Sequence, residues 1–555
     1  MRKKLVVSLV SALALASVAA TPSHKSSGST DAAIGRNLTT FNSIVKELQN
    51  NYVDSIAPDR AFKSAIEALL ATVDPYTEYY PVEAREDLQK LTTGSYGGIG
   101  AYLLDRDSAT YISAPMQGSP AWRAGLRAGD HLLRVDSTDV SSLPSAKVTG
   151  LLRGKPGTPV TVTVNRPYTT DSILTFTFDR ELLKQPSVPL AKVIDGTGYI
   201  QLTQFIDKSP AEVHAALESF KQDPTLRDIV IDLRGNGGGL VESAVEILSE
   251  FLPKGTEVVR TRGRGANSER IYKTTHKPMF PDIPMAVLID GGTASASEIL
   301  AGAIQDLDRG VLVGSRSFGK GLVQSTRPLP FSGLLKVTVA KYYTPSGRLI
   351  QALDYAHRNE DGSVSRIPDS LTHAYKTLHG RTIRDGGGLQ PDSIVEWNKV
   401  NRLVYNIVRD NWSFDYATRF ASKNPTIPSP EEFAITDTIY SDFKASIDPD
   451  RFKYDRVMED AVKQLREIAD DEGYMTSEAS EAFDALQKHL THDLNRDLDT
   501  HRAEIEDYLG SEIIGRYYFD AGKTEYLLRT DRGFKAARDI LRSPRYQSIL
   551  KPHEK

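Results

Sequence analysis

The chain has 555 residues, which at the usual size of roughly 100–200 residues per domain is enough for several domains. Hydrophobic residues make up 40% and charged residues 25%, so each domain can bury a core, while the net charge of −4 and the lack of a dense basic run argue against a nucleic-acid partner. The absence of cysteine excludes disulfides, thiolate metal sites, a cysteine nucleophile and a lipidated cysteine anchor.

The amino terminus has the order of a secretory signal peptide. Arg2, Lys3 and Lys4 precede a short apolar run, and small residues then offer a cleavage site after Ala20. The run is short for a span of ~20 residues, so we expect export and cleavage of residues 1–20 rather than an uncleaved membrane anchor. No later segment is apolar enough to span a membrane, which predicts a protein that is periplasmic, or extracellular, with no stable span.

The next segment is predicted to be a flexible leader, residues 21–37, because it is rich in Ser, Thr, Gly and Lys. From Leu38 to Leu91 apolar residues recur at helical spacing, which predicts a small helical amino-terminal domain over residues 38–91. The motif DPYTEYY, which begins at Asp74, interrupts that spacing with a proline turn.

Residues 92–170 are predicted to form a compact β-rich module. It begins with the glycine-rich turn YGGIG, and it contains a short helix between Pro120 and Gly125 and strands near residues 131–135 and 159–166. This stretch resembles a PDZ domain. A glycine-rich turn in an unrelated barrel is the alternative interpretation.

In a PDZ domain, successive backbone N–H groups of the glycine-rich loop bind the terminal carboxylate of a peptide, and the next strand pairs with the peptide. The resemblance implies that this substrate-binding loop is formed here by Gly97, Gly98, Ile99 and Gly100. Farther along, Arg153 is either an exposed turn residue or a link that couples this module to an active site.

Residues 171–398 alternate short apolar strands with helical stripes, which predicts an α/β layered domain. The strand-like run RDIVIDL leads into the loop RGNGGG, residues 234–239, and a helical stripe follows. A second apolar run, Met285–Ile289, leads into DGGTASASEIL, with a helix predicted from Ala296. Small hydroxyl residues therefore lie where a strand turns into a helix, and either a helix cap or a nucleophile fits that position.

A serine hydroxyl is a weak nucleophile unless a base accepts its proton. None of the eleven histidines lies in the glycine-rich junctions and no G-x-S-x-G motif is present, which disfavours a Ser-His-Asp site, although a distant histidine could still fold in. The stretch SFGKGLVQ offers Lys320 between two glycines. A lysine base must be neutral, and burial against Phe318, Leu322 or Val323 would favour that form. An exposed loop lysine is the alternative.

Five stretches, DLRGNGGG, TASASE, SFGKGLVQ, YYTPSGRLIQ and GGGLQPD, occur in the order found in the carboxyl-terminal processing peptidases. DPYTEYY also resembles their amino-terminal region, so the resemblance covers residues 38–396. These tail-specific serine proteases use a Ser–Lys dyad on a ClpP/crotonase-like core. The resemblance implies that Ser295 is the nucleophile, that Lys320 is the base and that Gln324 supports the base.

The resemblance also implies an oxyanion hole formed by the backbone N–H of Ala296 and by that of Gly237 or Gly238, with Gly238 favoured. Thr293 stands where the family more often has serine, and it is predicted to cap the helix, while Ser297 is predicted to be structural. Phosphate binding by RGNGGG is disfavoured because the loop lacks the Lys-Ser/Thr ending of a P-loop.

Residues 399–555 are charged and helically periodic, which predicts a helical carboxyl-terminal domain with solvated faces and no catalytic constellation. The predicted fold class is therefore multidomain α/β: a helical amino-terminal segment, a PDZ-like module, an α/β peptidase core and a helical carboxyl-terminal domain.

The sequence predicts an exported serine endopeptidase that binds free carboxyl termini of proteins or peptides through its PDZ module and cleaves through an acyl-enzyme, with no metal or other cofactor. Family habit also allows a homodimer or an adaptor protein. Three alternatives stay open: a non-catalytic PDZ scaffold of the envelope, a Ser-His-Asp esterase on the same fold, and a structural envelope protein acting through its carboxyl-terminal helices.

Overall fold

The computed structural model of the protein describes residues 27–84, 93–265, 267–396 and 400–551. The predicted signal peptide, the start of the leader and the end of the predicted amino-terminal domain lie outside the described residues. The chain divides into two compact units, residues 1–72 and 73–555. Among the residues that the structure describes, no helix is both long and apolar enough to cross a membrane.

The first unit contains two helices, α1 (Ser27–Asn51) and α2 (Pro58–Ala71). Residues 27–37 are therefore helical, which corrects the prediction of a flexible leader over 21–37. The composition of this stretch is polar, but residues 27–37 contain no proline that would interrupt a helix. Just after it, Thr39 Oγ1 donates to the carbonyl of Gly35, one turn earlier, at 2.9 Å.

The second unit begins with the DPYTEYY segment, which forms a turn and a strand within the range predicted for the helical amino-terminal domain. Strand β1 (Glu78–Tyr80) pairs antiparallel with β18 (Leu334–Tyr343) in the peptidase part of the chain. The turn before it is closed by Asp74, whose Oδ1 accepts the N–H groups of Tyr76 and Thr77 at 2.8 Å each. The amino-terminal boundary therefore lies near residue 72.

The PDZ-like module extends past its predicted end at residue 170. Its strands are β2 (Ser95–Gly98), β3 (Ala101–Arg106), β4 (Ala109–Pro115), β5 (His131–Val135), β6 (Thr138–Asp139), β7 (Pro159–Asn165), β8 (Ile173–Asp179) and β9 (Glu181–Lys184). Its helices are α3 (Pro120–Ala124) and α4 (Ser145–Leu152). The sheet order is β3-β4-β5-β7-β8, with β6 beside β5, and β2 pairs with β9. Strand β8 belongs to the module because Leu174, Phe176 and Phe178 pack on its apolar core.

The centre of the peptidase part is a mostly parallel sheet. Its strands are β10 (Leu190–Ile194), β11 (Thr197–Gln201), β12 (Asp228–Asp232), β15 (Met285–Ile289), β16 (Val311–Gly314) and β23 (Ser393–Ile394). They lie in that order, and all neighbours are parallel except β10 and β11. Strands β12 and β15 are buried along their whole length, as continuous apolar runs in a sheet covered on both faces should be.

A second, antiparallel sheet stands beside the parallel one. It contains β1, β13 (Glu257–Gly263), β14 (Arg270–Lys273), β17 (Leu322–Pro328) and β18, and β18 is the strand that pairs with β1, β13 and β17. Two short hairpins follow, with strands β19 (Leu353–Arg358), β20 (Val364–Arg366), β21 (Ala374–Lys376) and β22 (Thr382–Arg384). The turn that holds Lys320 enters this sheet through β17.

The carboxyl-terminal residues are helical, as predicted. The helices are α8 (Arg402–Arg409), α9 (Trp412–Lys423), α10 (Asp437–Ser446), α11 (Val457–Asp471), α12 (Ser477–Leu490), α13 (Leu494–Thr500), α14 (Arg502–Leu528), α15 (Arg532–Leu541) and α16 (Arg545–Leu550). Several of α8 to α14 share an apolar core of their own.

The last two helices instead complete the peptidase core. One face of the parallel sheet packs against α5 (Ser209–Lys221), α6 (Val241–Ser249) and α7 (Ala296–Asp306). The other face packs against Phe534, Ala537 and Ile540 of α15 and against α16. Helices α15 and α16, which follow the predicted domain boundary at residue 399, therefore pack as part of the peptidase core. A sheet with two apolar faces requires a cover on each face.

Candidate active site

Ser295 lies at the turn from β15 into α7, as predicted. It is the N-cap residue of α7, with φ 58° and ψ −118°, a conformation that costs a non-glycine residue about 1–3 kcal/mol. Two buried groups hold it there: Glu298 Oε2 accepts the N–H of Ser295 at 3.0 Å, and the hydroxyl of Tyr342 donates to its carbonyl at 3.1 Å. Strain of this kind is concentrated at active sites, where neighbouring groups enforce it.

The RGNGGG loop lies directly against Ser295. A Cβ on Gly238, whose φ is 97°, would lie 2.8 Å from the Cβ of Ser295 and 2.8 Å from the nitrogen of Ala296, so this close approach requires glycine. The N–H of Gly238 donates to Asn236 Oδ1 at 2.9 Å. Within the described part of the chain, the N–H groups of Gly237 and Ala296 have no acceptor.

The geometry thus offers Ala296 and Gly237 as the free donors of an oxyanion hole. Sequence reasoning favoured Gly238, whose N–H is engaged in this structure by the side chain two residues earlier. The loop conformation decides between neighbouring glycines, and sequence alone does not specify it.

Lys320 follows Gly319 in the turn before β17, with its side chain largely buried. Its amine lies 4.3 Å from the centroid of the Tyr76 ring, which belongs to DPYTEYY. Burial and the positive charge of Lys336 lower the pKa of Lys320, and the carboxylates of Glu298, Asp74 and Glu78 oppose that shift. The net shift is in the direction of the neutral amine that a general base needs.

Tyr76 is a residue of the site that the sequence did not reveal. Of the predicted neighbours of Lys320, Leu322 is buried, but Phe318 is 43% exposed. The ring against the amine comes from a segment about 240 positions earlier in the chain, brought there by the pairing of β1 with β18. The position of DPYTEYY among the family-like motifs was a signal, but no spacing rule links it to Lys320.

Glu298 is the second residue that the sequence did not assign, and it is fully buried. Its Oε2 accepts the backbone N–H of Ser295 at 3.0 Å and that of Lys320 at 2.8 Å. Its Oε1 accepts the N–H of Gly319 at 2.8 Å and the hydroxyl of Ser317 at 2.5 Å. Burial raises the pKa of Glu298 to about 7, although the four donors favour the ionised form.

One carboxylate therefore fixes the backbone of both members of the predicted dyad. The available sequence signal was spacing, because a glutamate three residues after a serine N-cap is the capping-box pattern. That rule accounts for the bond to Ser295, whereas the bonds to the Lys320 turn are tertiary.

Gln324 lies on β17 and lines the same cavity as Ser295 and Lys320. Its Nε2 donates to Thr338 Oγ1 on β18 at 3.1 Å. The structure thus brings Gln324 into the site, but its hydrogen bond goes to Thr338 and not to Lys320.

Thr293 does not cap α7, which corrects that prediction. The helix begins after Ser295, so Thr293 lies two residues too early, and its Oγ1 donates to the carbonyl of Leu233 at 2.8 Å and accepts the N–H of Asp290 at 2.9 Å. Ser297 is structural, as predicted, because its hydroxyl donates to the carbonyl of Asn236 at 2.9 Å and so ties α7 to the RGNGGG loop.

These groups meet in a cavity of about 1340 Å³. It is lined by Ser295, Lys320, Gln324, Gly237 and Gly238, and its apolar wall contains Ile299, Leu322, Val323, Ala340 and Tyr342. Among the described residues, no histidine lines it. In the same part of the chain, no group of three or more His, Asp or Glu side chains is arranged to hold a metal ion.

A smaller groove of about 260 Å³ lies between β3 and α4 of the PDZ-like module. Strand β3 ends its sheet, so its outer edge is open for a peptide strand. Gly98, Ile99 and Gly100 line the groove, whereas Gly97 does not. A Cβ on Gly97 would lie 2.2 Å from the carbonyl oxygen of Gly154, so that glycine serves close backbone packing.

Arg153 lines both the groove and the large cavity, as does Gln185. The guanidinium of Arg153 lies 5.8 Å from the centroid of the Tyr96 ring. This position between the two sites favours the coupling interpretation of Arg153 over that of a solvent-exposed turn residue.

Three family models match the chain: "Peptidase family S41" over residues 196–355, "PDZ domain" over 111–166 and "Probable PDZ-protease, C-terminal helical domain" over 403–541. A carboxy-terminal-processing protease of Bartonella bacilliformis is 36% identical over 321 residues, which cover 57% of this chain and 73% of that protein. The chain belongs to peptidase family S41.

Other S41-type proteins are similar to smaller extents. A "Probable CtpA-like serine protease" of Staphylococcus aureus is 33% identical over 317 residues, 57% of this chain and 62% of that protein. The solved structure of a photosystem II D1 C-terminal processing protease, 26% identical, aligns with 64% of this chain and 86% of its own, at a TM-score of 0.34.

Membership in family S41 confirms the predicted resemblance, the architecture of PDZ domain, peptidase core and helical carboxyl-terminal domain, and the prediction that the protein is an enzyme, a serine protease. The roles of single residues in this S41 protease stay predictions, and so do the exact domain limits.

Proposed function

We propose that this S41 protease is an exported endopeptidase that binds free carboxyl termini of proteins in its PDZ groove and cleaves with a Ser295–Lys320 dyad. The observation that carries the proposal is the buried carboxylate of Glu298, which accepts the backbone N–H of both residues at 2.8–3.0 Å. Both side chains face one cavity, and burial lowers the pKa of the lysine.

In the proposed mechanism, neutral Lys320 accepts the proton of Ser295 Oγ as that oxygen attacks the scissile carbonyl carbon. The N–H groups of Ala296 and Gly237 stabilise the oxyanion, and each such donor is typically worth ~10²–10³ in rate. The tetrahedral intermediate collapses, the C–N bond breaks, and the leaving amine takes the proton from Lys320. Water, activated by Lys320, then releases the acyl group from Ser295.

Substrate recognition is proposed to begin in the PDZ groove. The tail adds a strand to the open edge of β3, and its carboxylate meets the backbone N–H groups at Gly98–Gly100. The chain then passes Arg153 into the large cavity, where the apolar wall beside Ser295 accepts an apolar side chain. Export is supported by the order of charged, apolar and small residues before Ala20.

Replacing Ser295 or Lys320 is expected to lower kcat by ~10⁴-fold or more, because a dyad without its nucleophile or base retains only binding and the oxyanion hole. The measurement is cleavage of an unfolded protein with an apolar free carboxyl terminus by wild type, Ser295→Ala and Lys320→Met. Amidation of that terminus is expected to raise KM, because the PDZ loop loses its anion.

Two of the alternatives have their own outcomes in the same experiment. An esterase with a histidine base would retain activity in Lys320→Met, and a non-catalytic scaffold would bind the tail without cutting it in the wild type as well. Equal cleavage of free and amidated substrates would contradict tail recognition while leaving the dyad intact.

The acid limb of the pH profile is expected to report Lys320, since kcat/KM rises as the amine loses its proton. Lys336 lowers the pKa of Lys320 and Glu78 raises it. Lys336→Met should therefore move the limb to higher pH, and Glu78→Gln should move it to lower pH. Lys336 and Glu78 form an ion pair with each other. Loss of Lys336 leaves the Glu78 charge unpaired, which also raises the pKa of Lys320, and loss of Glu78 leaves the Lys336 charge unpaired, which also lowers it. Shifts of equal sign in the two variants would show that the titrating base is another group.

A further inference from the structure

We propose that Asp531, in the carboxyl-terminal helices, is a positioning residue that holds the oxyanion loop of the peptidase through Arg234. The inference rests on the proposed function, because it assigns the RGNGGG loop to the oxyanion hole. It gives the carboxyl-terminal helices a part in the reaction, whereas their sequence offers no catalytic constellation.

Arg234 is the first residue of the loop, directly after β12. Its Nε donates to Asp232 Oδ1 at 2.9 Å and its Nη2 to Asp232 Oδ2 at 2.6 Å, while Nη1 donates to Asp531 Oδ2 at 2.8 Å. The three side chains are 17%, 7% and 18% exposed, in the order Arg234, Asp232, Asp531, so these are desolvated, charge-assisted bonds and not a surface pair. A planar guanidinium fixed on two sides cannot rotate about either carboxylate alone.

Asp531 is itself held rigidly. Its Oδ1 accepts the N–H of Phe534 at 2.7 Å, which makes it the N-cap of α15. The Phe534 ring meets Tyr199 of β11 edge to face, with 5.3 Å between ring centroids, and the hydroxyl of Tyr199 donates to Asp232 Oδ2 at 2.8 Å. A helix packed on the sheet therefore fixes the second carboxylate that Arg234 meets.

The glycines of this loop have no conformational preference of their own, so its shape depends on the contacts that hold it. Gly235, Gly238 and Gly239 have φ of 68°, 97° and 144°. Beyond Arg234, the N–H of Gly235 donates to Asp290 Oδ1 at 2.9 Å, and the carbonyl of Gly238 accepts the N–H of Phe205 at 3.0 Å. Asn236 holds the middle of the loop: its carbonyl accepts the N–H of Ala294 at 3.0 Å and the hydroxyl of Ser297 at 2.9 Å, and its Nδ2 donates to the carbonyl of Leu202 at 2.7 Å. Arg234 is the attachment at the start of the loop. An oxyanion hole functions only if its donors are placed to within a fraction of an ångström, so release of one end reduces its effect.

A simple anchor between helices and core would behave differently, and the chain offers a matched example. Arg542, which directly follows α15, donates to Asp228 Oδ2 at 3.1 Å and to the carbonyl of Asp195 at 2.6 Å. Asp228 begins β12, whereas Asp232 ends it beside the active site. The Arg542 contacts therefore attach the same helix to the same strand at the end far from the loop.

The test compares Asp531→Ser with Arg542→Gln in the purified full-length protein. Serine retains the N-cap of α15, since serine and aspartate cap about equally well, and it removes the carboxylate from Arg234. The substrate is an internally quenched peptide that ends in a free Val-Ala-Ala carboxylate. The second probe is the aldehyde of a shorter peptide, whose adduct with Ser295 places an oxygen in the oxyanion hole.

We expect Asp531→Ser to lower kcat by roughly 10–100-fold with little change in KM. The affinity for the peptide aldehyde should fall by a similar factor. Arg542→Gln should lower Tm about as much as Asp531→Ser does, but it should change neither kcat nor the affinity for the aldehyde. Asp531→Glu retains a carboxylate and should therefore keep part of the kcat that Asp531→Ser loses. Unchanged kcat in Asp531→Ser, or equal losses of kcat in the Asp531 and Arg542 variants, would overturn the inference. Retained cleavage in Ser295→Ala would instead overturn the proposed function.

Discussion

Glu298→Ala is expected to abolish cleavage and to lower the free energy of unfolding by about 4 kcal/mol or more, since each buried donor left without an acceptor costs about 1–3 kcal/mol. Four donors lose their acceptor: the N–H groups of Ser295, Gly319 and Lys320 and the hydroxyl of Ser317. The strained backbone of Ser295 would lose one of the two groups that hold it. Urea unfolding and kcat/KM on one preparation measure both effects.

Glu298→Gln retains the size of the side chain and changes only its hydrogen-bonding atoms and charge. The amide has the same size but only one acceptor oxygen, so its NH₂ group must face a pair of donors that the carboxylate accepted. We expect an almost inactive enzyme with a smaller loss of stability than in the alanine variant. Glu218→Gln is the matched control, because that helical glutamate is 66% exposed, and it should stay within about 0.5 kcal/mol of wild type. Normal kcat in Glu298→Gln would refute the role of Glu298 as the clamp of the dyad.

Local features of the site followed from sequence because they depend on local rules. The apolar run Met285–Ile289 is a strand, and the helix begins at Ala296, as the pattern predicted. Glycines marked the loop that approaches Ser295, and Gly238 is required there by the short distances around it. The lysine between two glycines lies in the same cavity as the serine.

Features that depend on distant contacts did not follow. Tyr76 reaches Lys320 because β1 pairs with β18, and strand pairing across about 250 residues leaves no periodic signal. Thr293 has the residue type of a cap, but the helix start is set two residues later, at Ser295, by the bond between Ser295 and Glu298. The choice between Gly237 and Gly238 depends on which N–H Asn236 engages.

Composition alone does not show which part of the chain covers the peptidase sheet, for a related reason. Composition changes near residue 400, but the parallel sheet has a second apolar face that the residues before 400 leave uncovered. An uncovered sheet face is a property of the folded layers, and the amphipathic pattern of α15 looks the same whether its partner is a neighbouring helix or a distant sheet.

Removal of residues 532–555 is expected to prevent stable folding of the peptidase core itself. The deletion exposes the second face of the sheet, where Val230, Leu288, Val311 and Val313 are fully buried. At about 1.5–3 kcal/mol for each large aliphatic side chain, the loss is comparable with the whole stability of a typical domain, about 5–15 kcal/mol. Deletion from residue 400 therefore cannot distinguish a structural envelope protein from a peptidase, whereas Ser295→Ala does.

A single substitution tests the same packing without removing the helix. Ile540 of α15 is 2% exposed, and Ile540→Ala should lower the free energy of unfolding by about 2–5 kcal/mol through lost burial and the cavity left behind. Ile468 of α11 is 53% exposed, so Ile468→Ala should stay within about 0.5 kcal/mol of wild type although it is the same chemical change on a helix. If the two variants lost equal stability in urea, α15 would not be the cover of the peptidase sheet, and the position of Asp531 beside Arg234 would lose its support. If only Ile540→Ala loses stability, and its cleavage activity falls as well, the last helices are a structural layer of the peptidase core.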